Sequence, residues 1–191
     1  MGETPFRILG IAGSLRRGSY NRALLRAAVE LAPEGVEIGA FERLGEIPPY
    51  NEDVRQQGDP EPVRALKEAI AAADALLIAT PEYNYSIPGV LKNAIDWASR
   101  PAPDSVLRYK PVAIMGASPG NFGTVRCQLA LRQVFVFAES YVLLKPEVMV
   151  FGAQDRFDAD GRLTDETTRD LIRRQLEALV EWAVRVRGPR A

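Results

Sequence analysis

The sequence predicts an α/β fold, a doubly wound parallel sheet of five strands with helices on both faces, and three observations predict it. First, short runs such as Phe6-Arg-Ile-Leu-Gly-Ile-Ala12, Asp74 to Thr80 and Pro111 to Ala117 are almost continuously apolar. That is the pattern of strands buried on both faces of a parallel sheet. Second, these runs alternate with amphipathic helical segments. The clearest places Ile172, Leu176, Leu179, Ala183 and Val186 at i, i+4, i+7, i+11 and i+14, one stripe of a helix. Third, each such strand hands over to its helix through a polar turn rich in Gly, Pro or Ser, and strands alternating with helices build a parallel sheet.

Taken in order, Phe6 to Ala12 is the first strand, apolar apart from Arg7. The loop Gly13 to Asn21 follows, then a helix from Arg22 to Leu31 stopped by Pro33 and Gly35. Val36 to Phe41 is a second strand, shorter and less apolar. Residues 42 to 60, with Pro48, Pro49, Gly58 and Pro60, form the longest irregular stretch, of a length that marks functional or disordered loops. Asp59 is placed to cap a helix over Glu61 to Ala73, with Pro60 or Pro62 in the first turn, where a missing N–H costs nothing. The third strand, Asp74 to Thr80, leads through Pro81 to Gly89 into a helix over residues 88 to 98, and residues 99 to 109 connect onward. The fourth strand, Pro111 to Ala117, ends in Ser118-Pro-Gly-Asn-Phe-Gly123 and a helix from Thr124 to about Glu139. A fifth strand region, Tyr141 to Phe151, is interrupted by Lys145-Pro146, and a last helix runs from Thr164 to Val186. The simplest strand order is 2-1-3-4-5, the flavodoxin-like one, in a single domain over residues 1–191.

Composition narrows the function. With 47% hydrophobic and 26% charged residues the chain is of the ordinary globular class. A net charge of −1 gives no sequence-wide basic field for nucleic acid or an anionic membrane. No apolar run approaches the roughly 20 residues of a membrane span, and the first residues carry no signal-peptide core. A lone cysteine, Cys127, excludes an intramolecular disulfide and suits a reducing compartment, so the expected location is cytoplasmic. The absence of histidine excludes a His-based triad, a histidine proton shuttle and a His-ligated zinc site, and no metal site is expected. Carboxylates, Tyr, Lys or a bound cofactor must then do any chemistry.

Three loops are candidates for holding a ligand. Pro81-Glu-Tyr-Asn-Tyr-Ser-Ile-Pro-Gly89 follows the third strand, at the strand ends where open α/β sheets bind ligands. Tyr83 and Tyr85 offer ring faces, Asn84 an amide, and the N–H groups of residues 82 to 86 cannot all pair within so short a turn. Such a surface suits a flat, heteroatom-rich ring. In Gly13 to Asn21, Ser14, Ser19 and Asn21 supply donors, Arg16 and Arg17 supply charge, and the next helix begins there. A helix start favours an anion, above all phosphate. There is no Gly-Lys-Ser/Thr, and Gly10, Gly13 and Gly18 do not fall on G-x-G-x-x-G, so neither a Walker A loop nor the dinucleotide fingerprint is present. From that loop alone, phosphate site and plain capped turn both stay open. In the third loop, Gly120 and Gly123 permit close backbone approach, though by itself it reads as a turn. The three loops follow strands 1, 3 and 4 and so meet at one sheet edge.

Gly13-Ser-Leu-Arg-Arg-Gly-Ser-Tyr-Asn21 together with Pro81 to Trp97 resembles the NAD(P)H-dependent FMN reductase family, most of all its chromate/quinone reductase branch. The similarity spans most of the chain and includes Arg126-Cys-Gln and Leu131-Arg-Gln. The resemblance implies that Ser14, Arg16, Ser19, Tyr20 and Asn21 hold the FMN phosphate, that Pro81, Glu82, Tyr83 and Asn84 line the isoalloxazine, and that Ser118 and Gly120 close its other edge. It implies NADPH or NADH as donor, and small acceptors, quinones first, with chromate and azo compounds as further acceptors, in ping-pong order. With a flavin bound, no side chain is named as an obligate catalyst. Two readings stand beside this one: an azoreductase or a reductase releasing reduced FMN, and a non-enzymatic flavodoxin-like carrier or FMN-binding regulator.

Single residues carry competing readings. Cys127 beside Arg126 is either a redox thiol or, as favoured here, a packed small side chain. Asp158-Ala-Asp-Gly161 hints at a calcium loop, but Arg156 and Thr167 stand where carboxylates are needed, so it reads as a turn. Trp97 and Val90 lie on a different flank from Ile87, Leu91, Ala94, Ile95 and Ala98. That is either one wide core face or, with the resemblance behind it, the contact of a homodimer or homotetramer. In the second case the 42–60 loop, with Tyr50 and Asn51, is expected to reach the other subunit's site.

Overall fold

The apolar runs pair as parallel strands, and the amphipathic segments cover both sides of the sheet they form. The computed structural model describes residues 4–187. In chain order the elements are β1 (Phe6–Ala12), α1 (Tyr20–Glu30), β2 (Val36–Ala40), α2 (Glu52–Gln56), α3 (Glu61–Ala72), β3 (Ala75–Ala79), α4 (Gly89–Ala98), β4 (Pro111–Ala117), α5 (Val125–Phe137), β5 (Tyr141–Val142), β6 (Val148–Val150) and α6 (Glu166–Arg187). The order is β2-β1-β3-β4-β5, with β6 also on β4 and every pairing parallel. The expected fifth strand is split. β5 pairs with the start of β4 (Pro111↔Tyr141) and β6 with its end (Met115↔Val148). Pro146 lies in the break, where it has no N–H to give a ladder.

Alternation along each central strand sorts the core into two layers. In β3, Ala75, Leu77 and Ala79 join Ile8, Leu24, Met115, Ile172 and Leu176 under α1 and α6. Leu76 and Ile78 join Leu66, Leu91, Trp97, Ile114 and Phe135 under α3, α4 and α5. The α6 stripe is buried at Ile172, Leu176, Leu179 and Ala183. No helix among the described residues is long and apolar enough to cross a membrane.

Two local expectations change. Asp59 does not cap α3. It pairs with Lys67 at 2.5 Å, and the Lys67 ammonium also donates to the Arg100 carbonyl at 2.7 Å. The second flank of α4 is also not bare: Trp97 is fully buried, its indole N–H donates to the Pro48 carbonyl (2.8 Å), and the Tyr50 ring meets it edge-on at 5.0 Å. Asn93 accepts the Tyr50 N–H and donates to Pro48, both at 2.8 Å. The 42–60 stretch therefore lies along α4 of its own chain and contains α2 and a 3-10 turn at Leu44–Glu46. The wide-core reading of that flank is the one the packing shows.

Asp165 opens α6 by accepting the Thr168 hydroxyl (2.6 Å) and N–H (2.9 Å), with Arg156 at 2.6 Å. The Thr168 hydroxyl, its N–H and Arg156 together outweigh burial and hold this carboxyl below its ordinary range. Because the folded value is depressed, the contribution is present above the unfolded value of roughly 3.9 and is lost as pH falls through the lower folded one. Asp165→Ala should cost about 1 kcal/mol in urea unfolding at neutral pH, and the gap from wild type should close in acid. A gap that stays constant with pH would contradict this cap.

Candidate functional site

The loops after β1, β3 and β4 leave the sheet at one edge, and side-chain bonds tie them together. Ser14 Oγ lies 3.2 Å from the Tyr83 hydroxyl, joining the first loop to the second. The Asn21 carboxamide donates to the Ala117 carbonyl (2.9 Å) and accepts its N–H (2.8 Å), joining α1 to the end of β4. Glu82 reaches α5, joining the second loop to the third.

In the first loop Ser19 is the N-cap of α1, its hydroxyl accepting the N–H groups of Asn21 and Arg22. Ser14 Oγ accepts the Arg16 N–H at 3.4 Å, and the Arg16 carbonyl accepts the Ser19 N–H at 3.2 Å. The N–H groups of Ser14, Leu15, Arg17, Gly18 and Tyr20 have no partner among the described residues. Arg16 and Arg17 are exposed and form no ion pair among the described residues. A groove of about 510 Å³ runs beside them, lined by Arg16, Arg17, Ser19, Tyr20 and Arg26 together with the acidic residues Asp158 and Asp160. Donors and positive charge facing a groove suit a phosphate. Of the residues the sequence pointed to, Tyr20 presents an unpaired N–H, while its ring packs on Phe157 at 5.4 Å. Asn21 is buried, and its side chain serves as the strut to Ala117.

The second loop is a tight two-residue turn. Tyr83 and Ser86 exchange backbone bonds of 3.1 and 3.0 Å, with φ of 49° at Asn84 and 65° at Tyr85. Positive φ at both central positions is what the favoured hairpin turn demands. For a side chain such as Tyr85 it costs roughly 1–2 kcal/mol. The N–H groups of Glu82, Asn84 and Tyr85 are left without a partner among the described residues. Pro81 is buried and its carbonyl accepts the Thr80 hydroxyl at 2.9 Å.

Glu82 keeps its N–H for this surface, but its carboxylate is engaged elsewhere. One oxygen accepts the N–H groups of Arg126 (3.0 Å) and Cys127 (3.1 Å), the other the Arg126 Nε (2.6 Å). The Arg126 guanidinium lies between the Tyr85 ring (3.8 Å to its centroid) and the Phe122 ring (4.3 Å). Sequence reasoning missed this wall. In the sequence Arg126 stands out only as part of the resemblance and as a neighbour of Cys127, and nothing in local spacing pairs it with Glu82. In the third loop Ser118 Oγ accepts the Gly120 N–H at 3.1 Å, and Gly120 is open, its Cβ position meeting only Ser118 Oγ at 3.5 Å. Gly123 is different. At φ 51° it packs on the Met149 backbone, where a Cβ would come within 2.9 Å.

Cys127 is fully buried, its sulfur 3.3 Å from the Thr80 hydroxyl, and burial pushes the thiol up to about 11. It is a packed thiol, and the Arg126 side chain is turned to Glu82. Asp158 folds its own turn by accepting the N–H groups of Asp160 (3.0 Å) and Arg162 (2.8 Å). No group of three or more acidic, Cys or His side chains among the described residues could hold a metal ion.

This sheet order, with the three polar loops at the carboxyl ends of its strands, defines a flavodoxin-like α/β protein. Residues 6–155 match the profile of the NADPH-dependent FMN reductase family. The chain is 57% identical over 182 residues to an NAD(P)H-dependent FMN reductase of Pseudomonas aeruginosa, covering 95% of this chain and 97% of that one. It is 44% identical over 183 residues to a quinone reductase of Escherichia coli, again covering 95% and 97%. The flavoenzyme FerB of Paracoccus denitrificans, an NAD(P)H:(acceptor) oxidoreductase, superposes with a TM-score of 0.85 at 35% identity, covering 94% of this chain and 97% of that one. The chain belongs to the NADPH-dependent FMN reductase family, and it is an oxidoreductase.

The different tasks of Asn21 and Arg16 separate in flavin-free protein. Asn21→Ala strands the buried N–H and C=O of Ala117 and should cost about 1–3 kcal/mol in urea unfolding. Arg16→Ala, exposed and without an ion pair, should stay within about 0.5 kcal/mol of wild type. Equal effects would contradict the assignment of Asn21 as a strut.

Proposed function

We propose that the three loops hold one FMN and that the protein uses it to pass reducing equivalents from NADPH or NADH to small acceptors, quinones first. The observation that carries this reading is the set of unpaired N–H groups at Ser14, Leu15, Arg17, Gly18 and Tyr20, with free Arg16 beside them, on a loop bonded to the aromatic turn at Tyr83. That is one anion site and one ring site on adjacent loops, the two ends of a mononucleotide. In this assignment Ser14, Arg16, Ser19 and Tyr20 serve the phosphate end, with Asn21 holding the loop in place. Pro81, Glu82, Tyr83 and Asn84 line the ring, with Ser118 and Gly120 at its far edge.

FMN, when bound, supplies the hydride and electron chemistry. The chain's own groups bind, orient and stabilise charge. The sequence has no histidine, the Glu82 carboxylate is already engaged by three donors, and the Cys127 thiol is buried. The unpaired N–H groups of Glu82, Asn84 and Tyr85 are preorganised donors for negative charge on a flat ring. One open face visited first by donor and then by acceptor gives ping-pong kinetics.

The names of the relatives support quinones as acceptors: besides the quinone reductase, a Burkholderia protein 42% identical over 176 residues is a 2-hydroxy-1,4-benzoquinone reductase. The Pseudomonas relative favours a second reading, release of reduced FMN. The two differ in whether FMN behaves as a resident group or as a saturable substrate. A second copy of this chain belongs on the outer face of α5, where Leu129, Val136 and Phe137 are 57%, 76% and 68% exposed. A buried lone thiol suits the reducing cytoplasm.

Purified protein should bind FMN, oxidise NAD(P)H only when FMN and a quinone are both present, and give parallel double-reciprocal plots. Arg16→Ala removes a charge-assisted bond and should raise the Kd for FMN about tenfold or more. Wild-type FMN affinity in Arg16→Ala would overturn the phosphate assignment, and no quinone-dependent turnover would overturn the acceptor.

A further inference from the structure

We infer that Glu82 is a positioning residue of the flavin site: by capping α5 from another loop, its carboxylate sets the 82–86 turn against the 118–124 loop. The inference rests on the FMN reading above and assigns a task to a side chain that the reading leaves without one.

A helix start has four N–H groups that its own turns cannot satisfy. At α5 the Val125 N–H goes to the Phe122 carbonyl at 2.9 Å, and the helix's own ladder starts with the Gln128 N–H bonded to the Thr124 carbonyl at 3.0 Å. The N–H groups of Arg126 and Cys127, between them, both go to Glu82, 44 and 45 residues earlier in the chain. The residue in the usual capping place cannot take them. Thr124 has φ 70° and no capping bond, its hydroxyl accepts the Gln128 side chain at 3.1 Å, and it stands over Gly116, where a Cβ would come within 2.0 Å of it.

The same carboxylate takes the Arg126 Nε, and Arg126 is then flanked by one ring from each loop, Tyr85 and Phe122. Only 9% of the Glu82 side chain is exposed, so its three charge-assisted bonds form with little competition from water. The other bonds of the turn do little to locate it. Tyr83 and Ser86 bond to each other, and the Tyr83 hydroxyl reaches Ser14 at 3.2 Å. Glu82 is therefore the main anchor of a strained turn that carries the unpaired N–H groups of Glu82, Asn84 and Tyr85. Donors for a ring act through placement, and a shift of about 1 Å is enough to lose their effect.

The test compares wild type, Glu82→Gln and Glu82→Ala for FMN affinity by fluorescence quenching, for the visible spectrum of the bound flavin, and for unfolding of the flavin-free protein. Glu82→Gln keeps one carbonyl oxygen for the two N–H groups but cannot also accept Arg126 Nε. Affinity should fall tenfold or more in Glu82→Ala and by less in Glu82→Gln, with the bound-flavin bands displaced in the same order. If Glu82→Ala does not fold, the drop in affinity and the band shift in Glu82→Gln decide the matter. Wild-type affinity and spectrum in the variants, with only the flavin-free protein destabilised, would leave Glu82 a helix cap and overturn the inference. Wild type that binds no FMN would overturn the FMN reading, and the inference with it.

Discussion

Helices that follow buried parallel strands must begin at the carboxyl edge of the sheet, and each begins with N–H groups it cannot satisfy itself. How those groups are satisfied decides what the edge can do. At α1 the Ser19 hydroxyl takes the N–H groups of Asn21 and Arg22, and the N–H groups of Ser14, Leu15, Arg17, Gly18 and Tyr20 on its loop stay open. At α5 the carboxylate of Glu82 takes two, those of Arg126 and Cys127, while the turn that carries Glu82 keeps open donors of its own. The result is an edge with open donors on the loop before α1 and a donor-lined turn beside it.

That division accounts for the chemistry. The protein has no histidine, its one cysteine is buried, and the Glu82 carboxylate is engaged by α5. It does have donors and rings. A family in which the cofactor carries the redox step needs nothing more from its polypeptide than placement and charge.

Much of the fold was legible in the sequence because burial on both faces writes a continuous apolar run. β1 and β4 begin and end at the residues where those runs do. The α6 stripe was legible because it is periodic. What could not be read lies in pairings across the chain. Trp97 is covered by Pro48 and Tyr50, Asn21 is bound to Ala117 across 96 residues, and Glu82 caps a helix that starts more than 40 residues later. Such contacts leave no period and no spacing behind. The loops could therefore be located, but side chains within them that work as struts could not be told from side chains that face a ligand.

The most direct measurement is the amide NMR spectrum of flavin-free protein titrated with FMN. The account predicts saturation at one FMN per chain, with the largest shifts at the N–H groups now unpaired: Ser14, Leu15, Arg17, Gly18 and Tyr20, and Glu82, Asn84 and Tyr85. No saturable binding, or shifts confined to residues away from these two loops, would contradict it.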